Sequence, residues 1–186
     1  MLENWKLLNS RIDKDYRIFK VRVELAVSPR TDQAGEFYIL DSGSWVNVVP
    51  ITRTGEVVMI RQYRHGTHQV HLEIPGGLVD EADPRDAAKR ELAEETGYEG
   101  DGAIFLGSVS PNPALFNNRC YTYLIENAQK TRPVSLDPNE DIEVELVPLA
   151  RIPSLISEGL VDHALVIAAF QFYFLKAGTA AIRDTL

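Results

Sequence analysis

Alternation of apolar and polar residues predicts strands through the first part of the chain. The alternation runs through Ile18–Val27 and Glu36–Leu40, which we expect to pair, and then through Trp45–Ile51 and Glu56–Tyr63. The last two segments flank Thr52–Gly55, whose glycine is typical of a hairpin turn. We therefore predict two pairs of neighbouring strands in this part of the chain.

A capped helix follows these strands. Asp83 is a suitable N-cap, Pro84 fits the first helical position, and Gly97 stands where a left-handed residue commonly ends a helix. The later predicted elements are strands at Ala103–Val109, Cys120–Glu126 and Glu143–Pro148, and helices at Ala150–Glu158 and His163–Lys176. Short strands around a helix, followed by more strands and helices, predict an α+β sandwich.

Composition narrows the class of protein. The chain has 186 residues, enough for one domain with a small N-terminal appendage, and its net charge of −8 argues against binding nucleic acids or anionic membranes. The single cysteine, Cys120, permits no intramolecular disulfide and favours a reducing cytoplasm. There is no signal-peptide pattern and no apolar run of ~18 residues, so we expect a cytoplasmic protein without a membrane segment.

Three glutamates are the strongest chemical feature of the predicted helix. Glu91, Glu94 and Glu95 are three and four positions apart, which places their side chains within roughly a 100° arc on one face. Like charges so placed repel one another, and a bound cation would offset that repulsion. Oxygen ligands without nearby Cys or His suit Mg²⁺, Mn²⁺ or Ca²⁺ rather than zinc. For these glutamates alone, a solvated acidic helix is the alternative.

The stretch around this helix resembles the Nudix box, in which a glycine-rich loop leads to the pattern Arg-Glu-U-x-Glu-Glu-x-Gly-U, with U apolar or aromatic. The second half of the pattern fits without a gap from Arg90 to Tyr98. The first half is one residue shorter than the pattern, and Ala82 takes the place of its first glutamate. Glu81 and Asp83 are nearby carboxylates, but neither is in register.

Residues outside the box resemble one branch of the family, the ADP-ribose and nucleoside diphosphate sugar pyrophosphatases. Arg61 and Arg64 end a predicted strand, Glu73 opens the lead-in to the box, and Pro113 lies sixteen residues beyond Gly97. The tyrosine that marks dinucleoside polyphosphate hydrolases is missing from this chain.

The resemblance implies a Nudix-type α/β/α sandwich with a small N-terminal β-strand appendage. The appendage is expected over residues 1–43 and the Nudix hydrolase domain over residues 44–186. The branch also implies a homodimer in which residues from Ile18 to Leu40 contact the partner subunit, because a two-strand appendage would be only marginally stable alone. A monomer with these strands packed on its own core is the alternative.

A centre for Mg²⁺ or Mn²⁺ is also implied by the resemblance. Glu91, Glu94 and Glu95 are its expected carboxylate ligands, and the backbone carbonyl of Gly76 is a further ligand. Arg90 is expected to orient a glutamate of this set through a bidentate contact, with a helix-surface ion pair as its alternative role. Arg90 and Glu94 are therefore counted among the catalytic residues.

A general base is expected in the acidic loop from Asp137 to Glu143, because the pyrophosphatase branch often draws its base from such a loop. Glu140 is the preferred candidate, with Asp141 and Glu143 as alternatives. The base must come within hydrogen-bond reach of the attacking water, directly or through one further water. A solvated acidic turn is the structural alternative for the whole loop.

Five further residues are expected to contact the substrate. Arg64 matches an arginine that contacts phosphate in this branch, while Arg61 assists it or has a structural role on the other strand face. Trp45 is a candidate for stacking a nucleobase, with burial in the core as the alternative. Asn118 is a candidate for reading sugar hydroxyls, with turn formation as the alternative, and Glu73 completes the set. The histidines interpreted as loop residues are His65, His68 and His71.

The sequence thus predicts metal-dependent hydrolysis of nucleoside diphosphate sugars, including ADP-ribose, to a nucleoside monophosphate and a sugar phosphate. Hydrolysis of nucleoside triphosphates to a monophosphate and pyrophosphate is the enzymatic alternative. A catalytically silent Nudix domain that senses a nucleotide, and an interaction scaffold with an acidic helix, are the alternatives from other classes. The expected partners are a nucleotide-sugar substrate and a second copy of the chain.

Overall fold

The structure is a computed structural model that describes residues 2–183, with side chains as far as Gly178. The chain divides into two compact units. The first unit runs up to Ser44 and includes the loop Ser110–Arg119. The second unit runs from Trp45 to Val109 and continues from Cys120 onward. The sequence did not predict that the loop Ser110–Arg119 belongs with the N-terminal segment.

The first unit contains an antiparallel sheet of three strands. In spatial order these are β1 (Lys6–Asp15), β2 (Phe19–Val27) and β3 (Ala34–Ser42). The pairing of β2 with β3 is confirmed, but the expected two-strand appendage is wrong because β1 was missed. Every residue of β1 is exposed, so no buried face imposes the apolar alternation by which strands are found in a sequence.

The second unit contains a mixed sheet of seven strands. Its strands are β4 (Trp45–Thr52), β5 (Glu56–Arg64), β6 (Gln69–Glu73), β7 (Gly76–Leu78), β8 (Tyr98–Val109), β9 (Cys120–Lys130) and β10 (Ile142–Pro148). The order is β10-β5-β4-β9-β8, with β6 paired to β5 and β7 paired to β4. Only the β4–β9 pair is parallel within this described sheet.

The predicted hairpin of β4 and β5 is confirmed by their antiparallel pairing. The strands β6 and β7 were missed, because five and three residues are too few for alternation to stand out. The interpretation of His71 as a loop residue is therefore wrong, since His71 lies within β6. His65 and His68 do lie in the turn between β5 and β6, and His68 has a positive φ of 56°.

The predicted ends of the first helix, α1 (Pro84–Thr96), are confirmed. The Asp83 side chain accepts a hydrogen bond from the backbone N–H of Arg85 at 2.9 Å, as an N-cap does. Gly97 ends the helix with a φ of 74°, and a Cβ atom there would clash with the carbonyl oxygen of Arg132. Glycine is therefore required at Gly97 for both conformation and space.

Two more helices follow β10. A 3₁₀ turn (Leu149–Arg151) leads into α2 (Ile152–Ser157), and the last helix is α3 (Ala164–Arg183). Among the described residues no helix is long and apolar enough to cross a membrane.

Two hydrophobic clusters lie on opposite faces of the seven-stranded sheet. Val48 of β4 belongs to a cluster with Leu92 of α1, whereas its neighbour Val49 belongs to a cluster with Phe170 of α3. Successive side chains of a strand point to opposite faces, so the sheet lies between α1 and α3. This confirms the predicted α/β/α sandwich for the second unit. It also presents the polar face of α1 next to β7.

Candidate active site

The glutamates of α1 open onto a cavity of ≈ 280 Å³ in the second unit, which we call the carboxylate cavity. The cavity brings together most of the residues predicted for catalysis and metal binding. Its lining includes Gln62, Arg64, Gly76, Gly77, Arg90, Glu91, Glu94, Glu95, Asp137 and Glu140. Residues from β5, β7, α1 and the loop before β10 therefore meet at one place, as a catalytic centre requires.

Two of the glutamates are buried against the glycine-rich strand β7. Glu91 is 9% exposed and Glu95 is 2% exposed. The backbone N–H of Gly76 donates to Oε2 of Glu95 at 3.0 Å. A Cβ atom at Gly77 would clash with the carboxylate of Glu91. The paired glycines therefore let two helix carboxylates approach the backbone of β7 closely.

Arg90 links three carboxylates at the rim of the cavity. Its Nε donates to Oε1 of Glu81 at 2.6 Å, and its Nη1 lies 2.8 Å from Oε2 of Glu94 and 2.9 Å from Oε1 of Glu91. The hydrogen bonds that Arg90 donates to Glu81 and Glu94, with Glu81 first, and the charge of Glu91 raise the pKa of Arg90 despite its partial burial. Glu81 thus reaches Arg90 although it is out of register with the box, whereas Ala82 is exposed and lines none of the described cavities.

Burial makes the negative charge of this cluster costly. It raises the pKa of Glu91 to about 7, against the opposing charge of Arg90. Burial also raises the pKa of Glu95 well above its usual value, and the N–H of Gly76 offsets this only in part. The charge of Glu91 raises the pKa of Glu95 further. A cation beside these oxygens would relieve both the desolvation and the repulsion.

The donor chemistry at this place fits a divalent cation. Carboxylate oxygens from Glu91, Glu94 and Glu95, with the carbonyl oxygen of Gly76, are the hard ligands that Mg²⁺ and Mn²⁺ prefer. Within the described part of the chain, no three His, Cys, Asp or Glu side chains are gathered tightly enough to form a complete site. The contacts of Arg90 and Gly76 hold these carboxylates in their present positions.

The acidic loop before β10 places its three candidates for the general base differently. Glu140 is partly buried and lines the carboxylate cavity, where its Oε2 accepts a hydrogen bond from the N–H of Asp137 at 3.1 Å. Asp141 lines a different cavity with Asn139. Glu143 is exposed on β10 and lines none of the cavities described. Proximity to the carboxylates of α1 therefore favours Glu140.

Arg64 and Glu73 form an ion pair that borders this cavity. Nε and Nη2 of Arg64 each donate to one oxygen of Glu73 at 2.8 Å. Nδ1 of His163 lies 2.9 Å from Oε2 of Glu73, which is only 3% exposed. Burial alone would raise the pKa of Glu73, but the bonds from Arg64 and His163 outweigh it and lower the pKa to about 2. Sequence reasoning missed His163, because its role depends on a contact between residues ninety positions apart.

The other predicted substrate contacts are spread over the molecule. Trp45 lines a cavity of ≈ 330 Å³ together with Arg64 and Glu73, which we call the Trp45 cavity. Arg61 is exposed, pairs with Glu145 at 2.6 Å and lines none of the described cavities. Asn118 lies in the first unit, where its amide group donates to Oγ of Ser42 and the carbonyl of Gly43, each at 2.9 Å. Substrate binding by Arg61 and Asn118 thus stays a prediction without a structural contact to support it.

Glu73→Gln is expected to destabilise the fold by about 2 kcal/mol at neutral pH. Solvent keeps this loss small, because Arg64 is 42% exposed and water screens its charge. The pKa of Glu73 lies below its ordinary value of 4.5, so its charged form stabilises the fold fully above about pH 4.5. That contribution is lost as the pH falls from about 4.5 to about 2. Urea unfolding of both proteins across this range should show their difference shrinking.

Glu145→Gln is the matched control for this prediction, because Glu145 pairs with Arg61 on the exposed surface. We expect it to cost less than about 1 kcal/mol. Equal losses from the two substitutions would show that burial of Glu73 adds nothing to its ion pair.

Comparisons with known proteins agree with this geometry. The family model described as NUDIX domain matches residues 43–170. The methanol dehydrogenase activator of Bacillus methanolicus is 28% identical over 162 residues, which are 86% of this chain and 87% of that protein. The ADP-ribose pyrophosphatase of Bacillus subtilis (strain 168) is 28% identical over 138 residues, 73% of this chain and 75% of that protein.

The fold is also shared with a solved structure. The crystal structure of ADP compounds hydrolase superposes with a TM-score of 0.81 at 24% identity, covering 96% of this chain and 97% of that one. This likeness concerns the fold, and it agrees with the α/β/α layers described above. The family match covers more than half of the chain and includes both the carboxylates of α1 and Arg64. This chain belongs to the NUDIX domain family.

Proposed function

We propose that the protein hydrolyses the pyrophosphate bond of nucleoside diphosphate sugars, including ADP-ribose, with Mg²⁺ or Mn²⁺. The products are a nucleoside monophosphate and a sugar phosphate. The observation that carries this proposal is the meeting of Glu91, Glu94 and Glu95 with Arg64 and Glu140 around one cavity. The names of the Bacillus subtilis relative and of the solved structure, both of which refer to ADP compounds, support the same substrate class.

The residues of the carboxylate cavity have two roles, metal binding and phosphate binding. Glu91, Glu94, Glu95 and the carbonyl of Gly76 would hold the divalent cation. When bound, such a cation neutralises phosphate charge and lowers the pKa of water. Nη1 of Arg64 has no hydrogen-bond partner among the described residues, so it is available to a phosphate oxygen while Glu73 holds the rest of the guanidinium.

Proton transfer is assigned to Glu140. A water molecule attacks phosphorus, and Glu140 accepts the proton that this water loses. The bond from phosphorus to the bridging oxygen breaks, and that oxygen leaves with the other phosphate. Arg90 holds Glu91 and Glu94 in place through its hydrogen bonds, which makes it a positioning residue in this scheme.

A substrate panel tests the proposal directly. ADP-ribose, other nucleoside diphosphate sugars and nucleoside triphosphates are incubated with Mg²⁺, with Mn²⁺ and with EDTA, and the products are separated by chromatography. We expect the diphosphate sugars to give a nucleoside monophosphate and a sugar phosphate, and EDTA to stop the reaction. Faster release of pyrophosphate from triphosphates would favour the enzymatic alternative, and nucleotide binding without turnover would favour a sensing domain.

The expected homodimer stays a proposal, supported by exposed apolar side chains of the first unit. Trp5 and Phe37 pack edge to face with ring centroids 5.1 Å apart, yet both are about half exposed. Tyr38, the next residue of β3, is 57% exposed and points to the opposite face of the sheet. Burial of such side chains by a second copy would be favourable. Light scattering at micromolar concentration should give twice the chain mass of 20.8 kDa, and a single chain mass would contradict the dimer.

A further inference from the structure

A further cavity in the same unit shares Arg64 with the carboxylate and Trp45 cavities and contains no residue of α1. Its volume is ≈ 330 Å³. We call it the histidine cavity, and its polar lining comes from Thr67, His71, Glu73, Asp162 and His163 together with Arg64. The proposed hydrolysis scheme uses only Arg64 and its partner Glu73 from this set.

Two reciprocal histidine–carboxylate pairs hold the wall of the histidine cavity. Nδ1 of His71, in β6, lies 2.8 Å from Oδ1 of Asp162, in the segment before α3. In the opposite sense, Nδ1 of His163 from that segment lies 2.9 Å from Oε2 of Glu73 in β6. Nε2 of His71 is engaged by the hydroxyl of Thr67 at 2.6 Å. This cross-linked arrangement fixes the polar atoms in place before any ligand arrives.

Two polar atoms of this wall have no hydrogen-bond partner among the described residues. They are Oδ2 of Asp162 and Nε2 of His163, on consecutive residues. An ionised carboxylate oxygen accepts hydrogen bonds strongly, and an imidazole nitrogen donates or accepts. Such a pair matches neighbouring hydroxyl groups, each of which can both donate and accept.

Other ligand groups fit the histidine cavity less well. Arg64 is its one permanently charged cation among the described lining residues, and Glu73 and Asp162 oppose that charge, so a second phosphate gains little there. No Trp, Tyr or Phe is among these lining residues, so a nucleobase finds no ring to stack on. The Trp45 cavity shares Arg64, Glu73 and His163 with the histidine cavity, but it adds Trp45 and apolar side chains and lacks Asp162.

We propose that the histidine cavity is the subsite for the sugar of the substrate, with Asp162 and His163 as specificity-determining residues that bind its hydroxyls. The inference rests on the proposed function. It follows from Arg64, which lines all four of the cavities described. With the pyrophosphate at Arg64, the nucleoside and the sugar extend in different directions, and Asp162, which lines the histidine cavity and not the Trp45 cavity, assigns the sugar to the histidine cavity.

The test compares two substrates that differ only in the sugar. One is ADP-ribose, and the other is ADP whose terminal phosphate carries a methyl ester. We expect Asp162→Ala to lower kcat/KM for ADP-ribose about tenfold or more, because a charge-assisted hydrogen bond is lost. The same substitution should change kcat/KM for the methyl ester less than about twofold. Asp162→Asn, which can still accept from His71, should give a smaller loss of the same kind.

Glu158→Gln is the matched control, because Glu158 is exposed close by in the chain and lines none of the described cavities. Equal losses for the two substrates would overturn the subsite and leave Asp162 a structural residue. Losses of kcat/KM that depend on which nucleobase the substrate carries would also overturn the subsite, because they would place the nucleoside in this cavity.

A binding measurement separates failure of the subsite from failure of the proposed function. Ribose 5-phosphate is titrated calorimetrically into wild-type protein and Asp162→Ala. Binding that the substitution weakens supports the sugar subsite even if no diphosphate sugar is hydrolysed. Equal binding to both proteins, or none to the wild type, overturns it.

Discussion

Replacing Glu95 by glutamine is expected to lower turnover by at least about 100-fold at saturating Mg²⁺ while leaving the fold intact. Glu95 is nearly fully buried in the carboxylate cavity, and burial raises its pKa well above the usual value. Glutamine removes a charge that is costly to bury and can still accept the hydrogen bond from the N–H of Gly76. The loss should therefore appear in kcat and metal affinity, and the unfolding midpoint should stay the same or rise slightly.

The measurement is steady-state hydrolysis of ADP-ribose over a range of Mg²⁺ concentrations, together with thermal unfolding. Glu91→Gln should behave similarly, since Glu91 lies in the same cavity. Asp86→Asn is the control on the same helix, because Asp86 is exposed in the first turn and lines none of the described cavities. Turnover near the wild-type level in Glu95→Gln at saturating metal would remove Glu95 from the catalytic centre.

Glu140→Gln is expected to lower kcat by roughly 10²–10⁴-fold, the usual scale for a general base, while substrate and metal binding persist. Glutamine keeps the size of the side chain and can still hydrogen-bond to the attacking water, but it cannot take the proton. Asp141→Asn and Glu143→Gln should cost much less, because neither side chain lines the carboxylate cavity. Steady-state kinetics on the three variants with one diphosphate sugar, beside a binding titration, measure these effects.

The substitutions of Asp141 and Glu143 are the matched controls for Glu140, since each removes one charge from the same acidic segment. A strongly impaired Glu143→Gln variant beside a nearly normal Glu140→Gln variant would show that Glu143, and not Glu140, is the general base. Equal small losses in all three variants would show that the loop is only a solvated acidic turn.

The sequence alone determined the helix that carries the carboxylates. Its caps, Asp83 and Gly97, act within a few residues of the chain, so local rules were sufficient to place both ends. The spacing of the glutamates likewise determined that they share one face, because an α-helix has a fixed number of residues per turn. The need for glycine beside them was visible as a motif, although the clash of a Cβ at Gly77 with Glu91 appears only in three dimensions.

Burial of one face helps to predict a strand from the sequence. The hairpin of β4 and β5 was predicted, because the core selects apolar residues along it. The strand β1 was missed, because it is exposed along its whole length and nothing selects an alternating pattern. Hydrogen bonding between backbones holds such a strand, and backbone hydrogen bonds leave little trace in residue types.

Only the tertiary structure decided which charged residues surround the site. Arg61 and Arg64 end the same strand, yet Arg61 pairs with Glu145 on the surface while Arg64 meets Glu73 beside the carboxylate cavity. His163 meets Glu73 across ninety positions of the chain. Such contacts depend on how β6 and the start of α3 pack, and side-chain pairing over long separations has no periodicity that a sequence can display. The chain therefore encodes its carboxylate-bearing helix locally, whereas the ionic partners and the wall of the histidine cavity arise only from the packed fold.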